Sequence, residues 1–359
     1  MGKFSKRAAT AAVAGVLAIA SLIGCSRSMN NDAVVAEVGD ESIPLGVANF
    51  YARLQQAQYE TYYAGMLGTT GDEMWTQEVE KGTTYEDTTK KSILKSLEDM
   101  YLLKQHTADY KVELNDDDEK AISKAAEAFA KDNTAAGKET VSGYKKYVTE
   151  FLELATIQSK MDAPMKEGVD EEVSDEEAAQ KSMQYVLFSY TKTSDDGTSE
   201  SKTMSDDEKA ALKEKAQNFA DTLKTDGGDM DAAAKEADLE VQTASFDSES
   251  TTPTEAVVKA ADALEKEGDV TGIIESDNGI YVAKLTSLLD REATDAKKDS
   301  IVEERKQKQY DSLLKKWRKD TDVKEHKRVW KKVDFAGQGV SIKQNTEETG
   351  GDTTDGSSK

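Results

Sequence analysis

Cysteine, histidine and proline are scarce in this chain. Its 359 residues include one cysteine, two histidines and three prolines. A single cysteine excludes any disulfide within the chain, so the fold must depend on its apolar core. The two histidines, His106 and His326, belong to no HExxH motif and no cysteine–histidine cluster, and no paired-aspartate calcium loop is present. The sequence therefore predicts no metal site and no other cofactor.

Basic residues are also few relative to acidic ones. The chain has 47 Lys and Arg against 70 Asp and Glu, a net charge of −23. Such a balance argues against nucleic acid as a partner, because phosphates require a basic footprint. It also argues against general adsorption to anionic lipid. The ordinary interpretation of so many carboxylates is solubility.

The N-terminus has the layout of a secretory signal. Three basic residues precede an apolar stretch over 8–23 that contains no acidic residue, and the segment ends in LIGC, whose cysteine is Cys25. This leader resembles the lipoprotein type, in which the cysteine is lipidated and becomes the first mature residue. The alternative is a transmembrane anchor, but an apolar run of about 16 residues is shorter than the roughly 20 that a spanning helix needs. We predict a signal peptide at 1–24, lipidation of Cys25, and a lipid-anchored protein on the extracytoplasmic face of the cell membrane.

The region 34–165 reads as a helical domain behind a tether at 25–33. Two short apolar runs flank the turn Gly39-Asp40-Glu41 and predict a β-hairpin. Pro44 suits the first turn of a following helix, and Asn115 suits an N-cap. Apolar residues at helical spacing then predict buried helix faces. These faces are Val47, Phe50, Tyr51 and Leu54; Ile93, Leu94, Leu97, Met100 and Tyr101; Ile122, Ala125, Ala126 and Phe129; and Tyr144, Val148, Phe151, Leu152 and Ala155.

The pattern changes after the acidic segment 163–175, which predicts a domain boundary. A strand at 183–190 is followed by a helix that begins with the capping box Ser205–Glu208. Its inward residues are predicted to be Leu212, Ala216, Phe219 and Leu223. Two shorter helices near 230–237 and 255–266 and two strands at 270–274 and 280–285 complete a βαααββ order within a domain at 178–290.

A C-terminal arm is predicted at 294–342, with a long helix from 294 to 320 and a disordered tail at 343–359. Residues 297–332 hold 14 basic and 7 acidic side chains, which inverts the charge of the rest of the chain. One interpretation is solvated helix charge. The other is that the arm docks on the acidic N-terminal part. The helix's apolar face consists of Tyr310, Leu313, Leu314 and Trp317.

Three pieces of the second domain resemble the parvulin domain, the PpiC-like peptidyl-prolyl isomerase (rotamase) module of secreted foldases. MQYVLF at 183–188 resembles its first strand, AADALEKEGDV at 260–270 its helix and turn, and GIYVAKL at 279–285 its closing strand. Together with the leader, the hairpin and the helical flanks, they resemble the PrsA-type foldase lipoproteins and the SurA-like chaperones. This resemblance implies an α+β fold, in which a parvulin-like domain is inserted into a mostly helical SurA-like chaperone domain.

The departures from the parvulin pattern concern the catalytic site. The family's two active-site histidines fall at Tyr185 and Tyr281, and the glycine-rich stretch that shapes its proline pocket has no clear match. A phenol both donates and accepts hydrogen bonds, so the tyrosines could replace the histidines; they could equally pack as strand aromatics. Phe246 and Val257 are the apolar candidates for a pocket wall that binds substrate.

The resemblance implies a membrane-anchored foldase that assists secreted proteins and binds unfolded or partly folded chains, with weak or lost isomerase activity. A chaperone without catalysis is the alternative, and a solute-binding lipoprotein is disfavoured because few strands are predicted. The clients, and whether the chain forms a homodimer, are left open by the sequence.

Overall fold

The computed structural model describes residues 19–21, 29–63, 66, 68, 70–192, 202–225 and 228–342. The chain forms two compact units: a helical unit, Met1–Gly168 with Gln307–Lys359, and a sheet unit, Val169–Lys306. Cys25, most of the predicted leader and the predicted tail lie outside the described residues. Within the described residues, no helix is long and apolar enough to cross a membrane.

The N-terminal part of the helical unit consists of helices with a few short strands. The strands are β1 (Ile19–Ser21), β2 (Val34–Val38), β3 (Glu41–Pro44), β4 (Glu78–Glu80) and β5 (Thr83–Thr84). The α-helices are α1 (Leu45–Gln58), α2 (Gly71–Thr76), α3 (Tyr85–Gln105), α4 (Asp116–Asp132), α5 (Ala135–Val141) and α6 (Lys145–Met165). A π-helical segment, Tyr59–Tyr63, follows α1, and a 3-10 turn, Thr107–Tyr110, follows α3. The predicted hairpin is confirmed, because β2 and β3 pair antiparallel with Val38 opposite Glu41.

Local capping and burial explain where these helices form. The Asn115 side chain accepts from the backbone N–H groups of Asp117 and Asp118, so the predicted N-cap of α4 is confirmed. The predicted stripe of α3 is fully buried. Tyr144 is an exception: it is 37% exposed, because it is the extended residue before α6 and its hydroxyl turns to Glu139. The prediction that Tyr144 belongs to a core face is therefore wrong.

The sheet unit combines one antiparallel sheet with short helices. Its strands are β6 (Lys181–Ser189), β7 (Thr191–Lys192), β8 (Lys202–Thr203), β9 (Gln242–Phe246), β10 (Ile274–Ser276) and β11 (Gly279–Ser287). Its helices are α7 (Asp175–Ala178), α8 (Asp206–Thr225), α9 (Met230–Glu236) and α10 (Glu255–Asp262). Four strands form a sheet in the order β10–β11–β6–β9.

The structure corrects the predicted strand order of this unit in two places. β9 lies between α9 and α10 and pairs with β6, although only Phe246 among its five residues is fully buried. The predicted strand at 270–274 is reduced to β10 and an isolated bridge at Val270. There the side-chain oxygen of Thr271, rather than a backbone carbonyl, accepts the Ala283 N–H, which interrupts a regular ladder.

The sheet has two differently packed faces. Alternation along a strand places successive side chains on opposite sides. Met183, Tyr185 and Leu187 of β6 pack on the side of α10, which we call the tyrosine face. Val186 and Phe188 pack on the side of α8 and α9, which we call the helix-pair face. The predicted inward residues Ala216, Phe219 and Leu223 of α8 are buried on this second face, and Leu212 is partly buried there.

The C-terminal residues add α11 (Arg291–Asp320), β12 (Val323–Glu325), α12 (Lys327–Trp330) and β13 (Val340–Ile342). The unit boundary falls inside α11, between Lys306 and Gln307. From Gln307 on, the arm packs within the helical unit: Tyr310 and Trp317 are buried in its core, and Leu313 and Leu314 lie against that core. β12 extends the β2–β3 hairpin to three strands.

Two polar contacts accompany this packing. Arg318 of α11 binds Glu98 at 2.6 Å and Asp99 at 2.7 Å, both on α3. Trp317 stacks on His106, with ring centroids 4.0 Å apart and planes inclined by 9°. The basic arm thus contributes a cation to acidic residues of the N-terminal part.

Arg53 on α1 joins α1 to the end of the arm. Its guanidinium is buried and donates to the carbonyl oxygens of Asp334 at 3.0 Å and Gln338 at 2.9 Å, and to the side chain of Gln56 at 2.6 Å. Burial lowers the pKa of Arg53 to about 10. A buried cation of this kind is retained because hydrogen bonds satisfy it.

Candidate functional site

The two candidate catalytic residues lie side by side on the tyrosine face. Tyr185 of β6 pairs with Ala283, and Tyr281 of β11 pairs with Leu187, so the tyrosines are diagonal neighbours across the two strands. Their ring centroids are 6.1 Å apart and the ring planes are inclined by 47°. Only 7% of Tyr185 and 4% of Tyr281 is exposed.

The two hydroxyl groups have different surroundings. The side-chain amide of Asn278 donates to the Tyr281 hydroxyl at 2.9 Å. This contact leaves the Tyr281 proton free to donate elsewhere. The Tyr185 hydroxyl has no hydrogen-bond partner among the described residues. Burial, and secondarily the neighbouring Tyr281, raises the pKa of Tyr185, so its phenol remains neutral at physiological pH.

The candidate wall residues complete the same cluster. Phe246, at the end of β9, and Val257, on α10, have no exposed surface and pack with both tyrosines. The structure therefore brings together the four residues predicted for catalysis and substrate binding. The fifth candidate, the lipidation residue Cys25, lies outside the described residues. Their catalytic and binding roles stay predictions, and the two wall residues present no surface to a ligand in this structure.

An aspartate organises the loop that follows β9. Asp247 follows β9 and accepts from Gln180 at 2.8 Å and from the hydroxyl of Ser250 at 2.9 Å, and it pairs with Lys297 at 3.2 Å. Burial opposes ionisation, but these hydrogen bonds outweigh it and lower the pKa of Asp247 to about 2. The loop is thus held by a charged side chain rather than by glycine conformation.

This arrangement places phenol hydroxyl groups next to an apolar cluster. The Tyr185 phenol stays protonated at physiological pH and so does not act as a base. Among the described residues, no three His, Cys, Asp or Glu side chains are grouped so that they could hold a metal ion. Prolyl isomerisation needs neither, because its barrier of about 18–20 kcal/mol comes from amide resonance and is lowered by favouring the twisted amide.

The family assignment of the sheet unit follows from a direct comparison. Residues 186–287 match the Rotamase family, described as the PPIC-type PPIase domain. The chain therefore contains a parvulin-type domain, and the domain-level resemblance inferred from the sequence is confirmed. No curated protein matches the chain.

Several solved structures are similar to this chain, but each superposes on it only loosely. The foldase PrsA of Streptococcus pneumoniae is 19% identical, with 73% of this chain and 99% of that chain covered and a TM-score of 0.30. The foldase PrsA of Lactococcus lactis is 13% identical, with 84% and 97% covered and a TM-score of 0.33. A SurA-like chaperone of Campylobacter jejuni is 14% identical, with 82% and 99% covered and a TM-score of 0.27. Because all three scores are low, the function proposed below rests on the family match and on the site geometry.

Two functional features were missed from the sequence. Asn278 lies in the turn before β11, and its position three residues before Tyr281 lets its amide reach the phenol. Asp247 lies outside the motifs identified in the sequence. The available signal was Ser250, three residues later, because an Asp side chain in an Asx turn bonds to groups a few residues ahead.

Proposed function

We propose that this protein is a foldase that binds unfolded or partly folded secreted chains and carries a parvulin-type domain of weak or lost isomerase activity. The match of 186–287 to the PPIC-type PPIase domain supports the proposal. Tyr185 and Tyr281 stand at both histidine positions, which supports reduced catalysis. Holding an unfolded chain requires apolar surface rather than a placed catalytic group.

A purely non-catalytic chaperone is the second candidate. The observation that favours it is the complete burial of Phe246 and Val257, which leaves neither side chain accessible to a proline ring. A solute-binding lipoprotein is less well supported, because that class needs βαβ units with parallel strands, whereas all strand pairs among the described residues are antiparallel.

The foldase proposal is tested by aggregation suppression. The full-length chain is mixed with chemically denatured citrate synthase, and light scattering is followed after dilution. Suppression at near-stoichiometric amounts is expected. The same scattering curve with and without the protein would contradict chaperone function in either form.

The proposed location is the extracytoplasmic face of the membrane, with a lipid on Cys25. The basic–apolar leader and its terminal cysteine support it. Cys25→Ser should release the protein from the membrane fraction or leave it unprocessed, since the chain has no other thiol. Unchanged fractionation together with unchanged processing would contradict the anchor.

A further inference from the structure

The last residues of β6 have a neighbouring strand on one edge only. The edge on the β9 side is unpaired there. The N–H of Tyr190 donates to the carbonyl of Asn278, which sets the phase of the β6–β11 ladder. In an antiparallel ladder, alternate residues direct both backbone groups to the same neighbour. Even-numbered residues of β6 therefore bond to β11, and odd-numbered ones direct their N–H and C=O to the side of β9.

β9 ends before it covers that side completely. Its pairing with β6 runs from Lys181 opposite Phe246 to Tyr185 opposite Gln242 and stops there. Within the described chain, no strand pairs with the β9 side of Leu187 and Ser189. An unpaired edge of this kind is a template for adding another strand.

A groove on the helix-pair face lies directly beside this open edge. It has a volume of about 680 Å³, which is in the range of ligand-binding clefts. Residues from β6, from both helices and from the segment after α9 line it; the apolar ones are Phe188, Leu212, Phe219, Ala233, Ala237 and Leu239. Lys215 on α8 and Glu236 on α9 add one charge of each sign to its walls.

We infer that this edge and groove bind an extended segment of a client polypeptide by strand addition. The open N–H and C=O groups of Leu187 and Ser189 specify an extended backbone as the occupant, because only a strand satisfies donors and acceptors at this spacing. Alternate side chains of the added strand would enter the apolar groove. Walls of opposite charge fit a neutral backbone with mixed side chains better than an anion or a cation. This inference rests on the proposed foldase function and locates one client-binding site on the parvulin-type domain, opposite the tyrosines.

The site is tested with a defined peptide and the full-length chain. The probe is a fluorescein-labelled, proline-free peptide of about eight residues that alternates valine and threonine, a pattern that favours an extended strand. A second probe is N-methylated at every residue, so that neither of its edges can donate a backbone hydrogen bond. Ala237→Trp, at the exposed residue that follows α9, fills the groove. Ala232→Trp, at an exposed residue of α9 outside the groove lining, is the matched control. Binding is measured by fluorescence anisotropy, and amide hydrogen exchange is followed over 186–190.

The natural protein is expected to bind the unmethylated peptide. Ala237→Trp and N-methylation of the peptide should each lower this affinity at least about tenfold, or by about 1.4 kcal/mol. Ala232→Trp should bind as the natural protein does, and the amides of Leu187 and Ser189 should become protected. The inference would be overturned if the natural protein bound the two probes with equal affinity. It would also be overturned if Ala237→Trp bound the first probe as tightly as the natural protein does. A dimer that Ala237→Trp disperses without any peptide binding would overturn it as well. If aggregation suppression persists in these cases, the strand-addition site fails and the foldase proposal stands.

Discussion

The two faces of the four-stranded sheet differ in how completely they are filled. On the tyrosine face, Phe246 and Val257 have no exposed surface and pack against Tyr185 and Tyr281. On the helix-pair face, a groove of about 680 Å³ remains open. The comparison teaches that the face carrying the predicted catalytic residues is organised here as a core, whereas the opposite face keeps a groove of ligand size.

The largest effect should come from emptying the filled face. Phe246→Ala removes a fully buried aromatic side chain and should lower the free energy of unfolding by about 3–5 kcal/mol. Leu239→Ala, on the partly open groove, should cost only about 1 kcal/mol, because Leu239 is only partly buried and part of its apolar surface stays exposed in the folded state. Urea unfolding followed by circular dichroism measures both. Equal losses would show that the two faces are packed alike.

Gly279 should be the next most sensitive position. It has φ +155°, and a Cβ there would lie 2.3 Å from the carbonyl oxygen of Phe188. Gly279→Ala should therefore separate β11 from β6 and cost about 2–4 kcal/mol. Gly272→Ala is the control, since nothing lies within 4 Å of its added Cβ. A thermal melt in which both variants match the natural protein would contradict this account of the sheet.

Asp247 should make the loop beside the tyrosine face sensitive to acid. Its pKa of about 2 lies below the ordinary value of 3.8, so the ionised form stabilises the fold above about pH 4. That contribution is lost as the pH falls towards 2. Asp247→Asn should cost about 1–2 kcal/mol at pH 7. The difference from the natural protein should shrink between about pH 4 and pH 2. A difference that does not change with pH would show that charge is not the cause.

The smallest effect should distinguish the two phenols. Tyr281→Phe loses the hydrogen bond from Asn278 and should cost about 1 kcal/mol, whereas Tyr185→Phe removes a hydroxyl with no partner in the described chain. Tyr185→Phe should therefore be nearly neutral in denaturant unfolding. A larger loss in Tyr185→Phe than in Tyr281→Phe would contradict the hydrogen-bond geometry.

Local patterns predicted the elements that depend on local chemistry. The β2–β3 hairpin, the N-cap at Asn115 and the buried stripe of α3 follow from turn residues, capping and periodicity, and the structure contains them. The bond from the Ser205 N–H to Glu208 likewise places the start of α8 where its capping box predicts it.

Elements that depend on distant partners could not be predicted in the same way. β9 has one fully buried residue and exists because β6 offers it an edge, so its own periodicity carries little signal. The bond between Asn278 and Tyr281 required knowing the hairpin geometry. The open edge at Leu187 and Ser189 is visible only from where a non-adjacent strand stops.

The most direct test of the account is the rate of prolyl isomerisation by the full-length chain on a chromogenic Xaa-Pro peptide, measured beside aggregation suppression. The account predicts suppression with little or no acceleration, and no change on Tyr281→Phe. The physical reason is that a catalytic group misplaced by about 1 Å can cost on the order of 100-fold in rate. Strong acceleration that Tyr281→Phe abolishes, with the variant still folded, would contradict it and make the tyrosines catalytic.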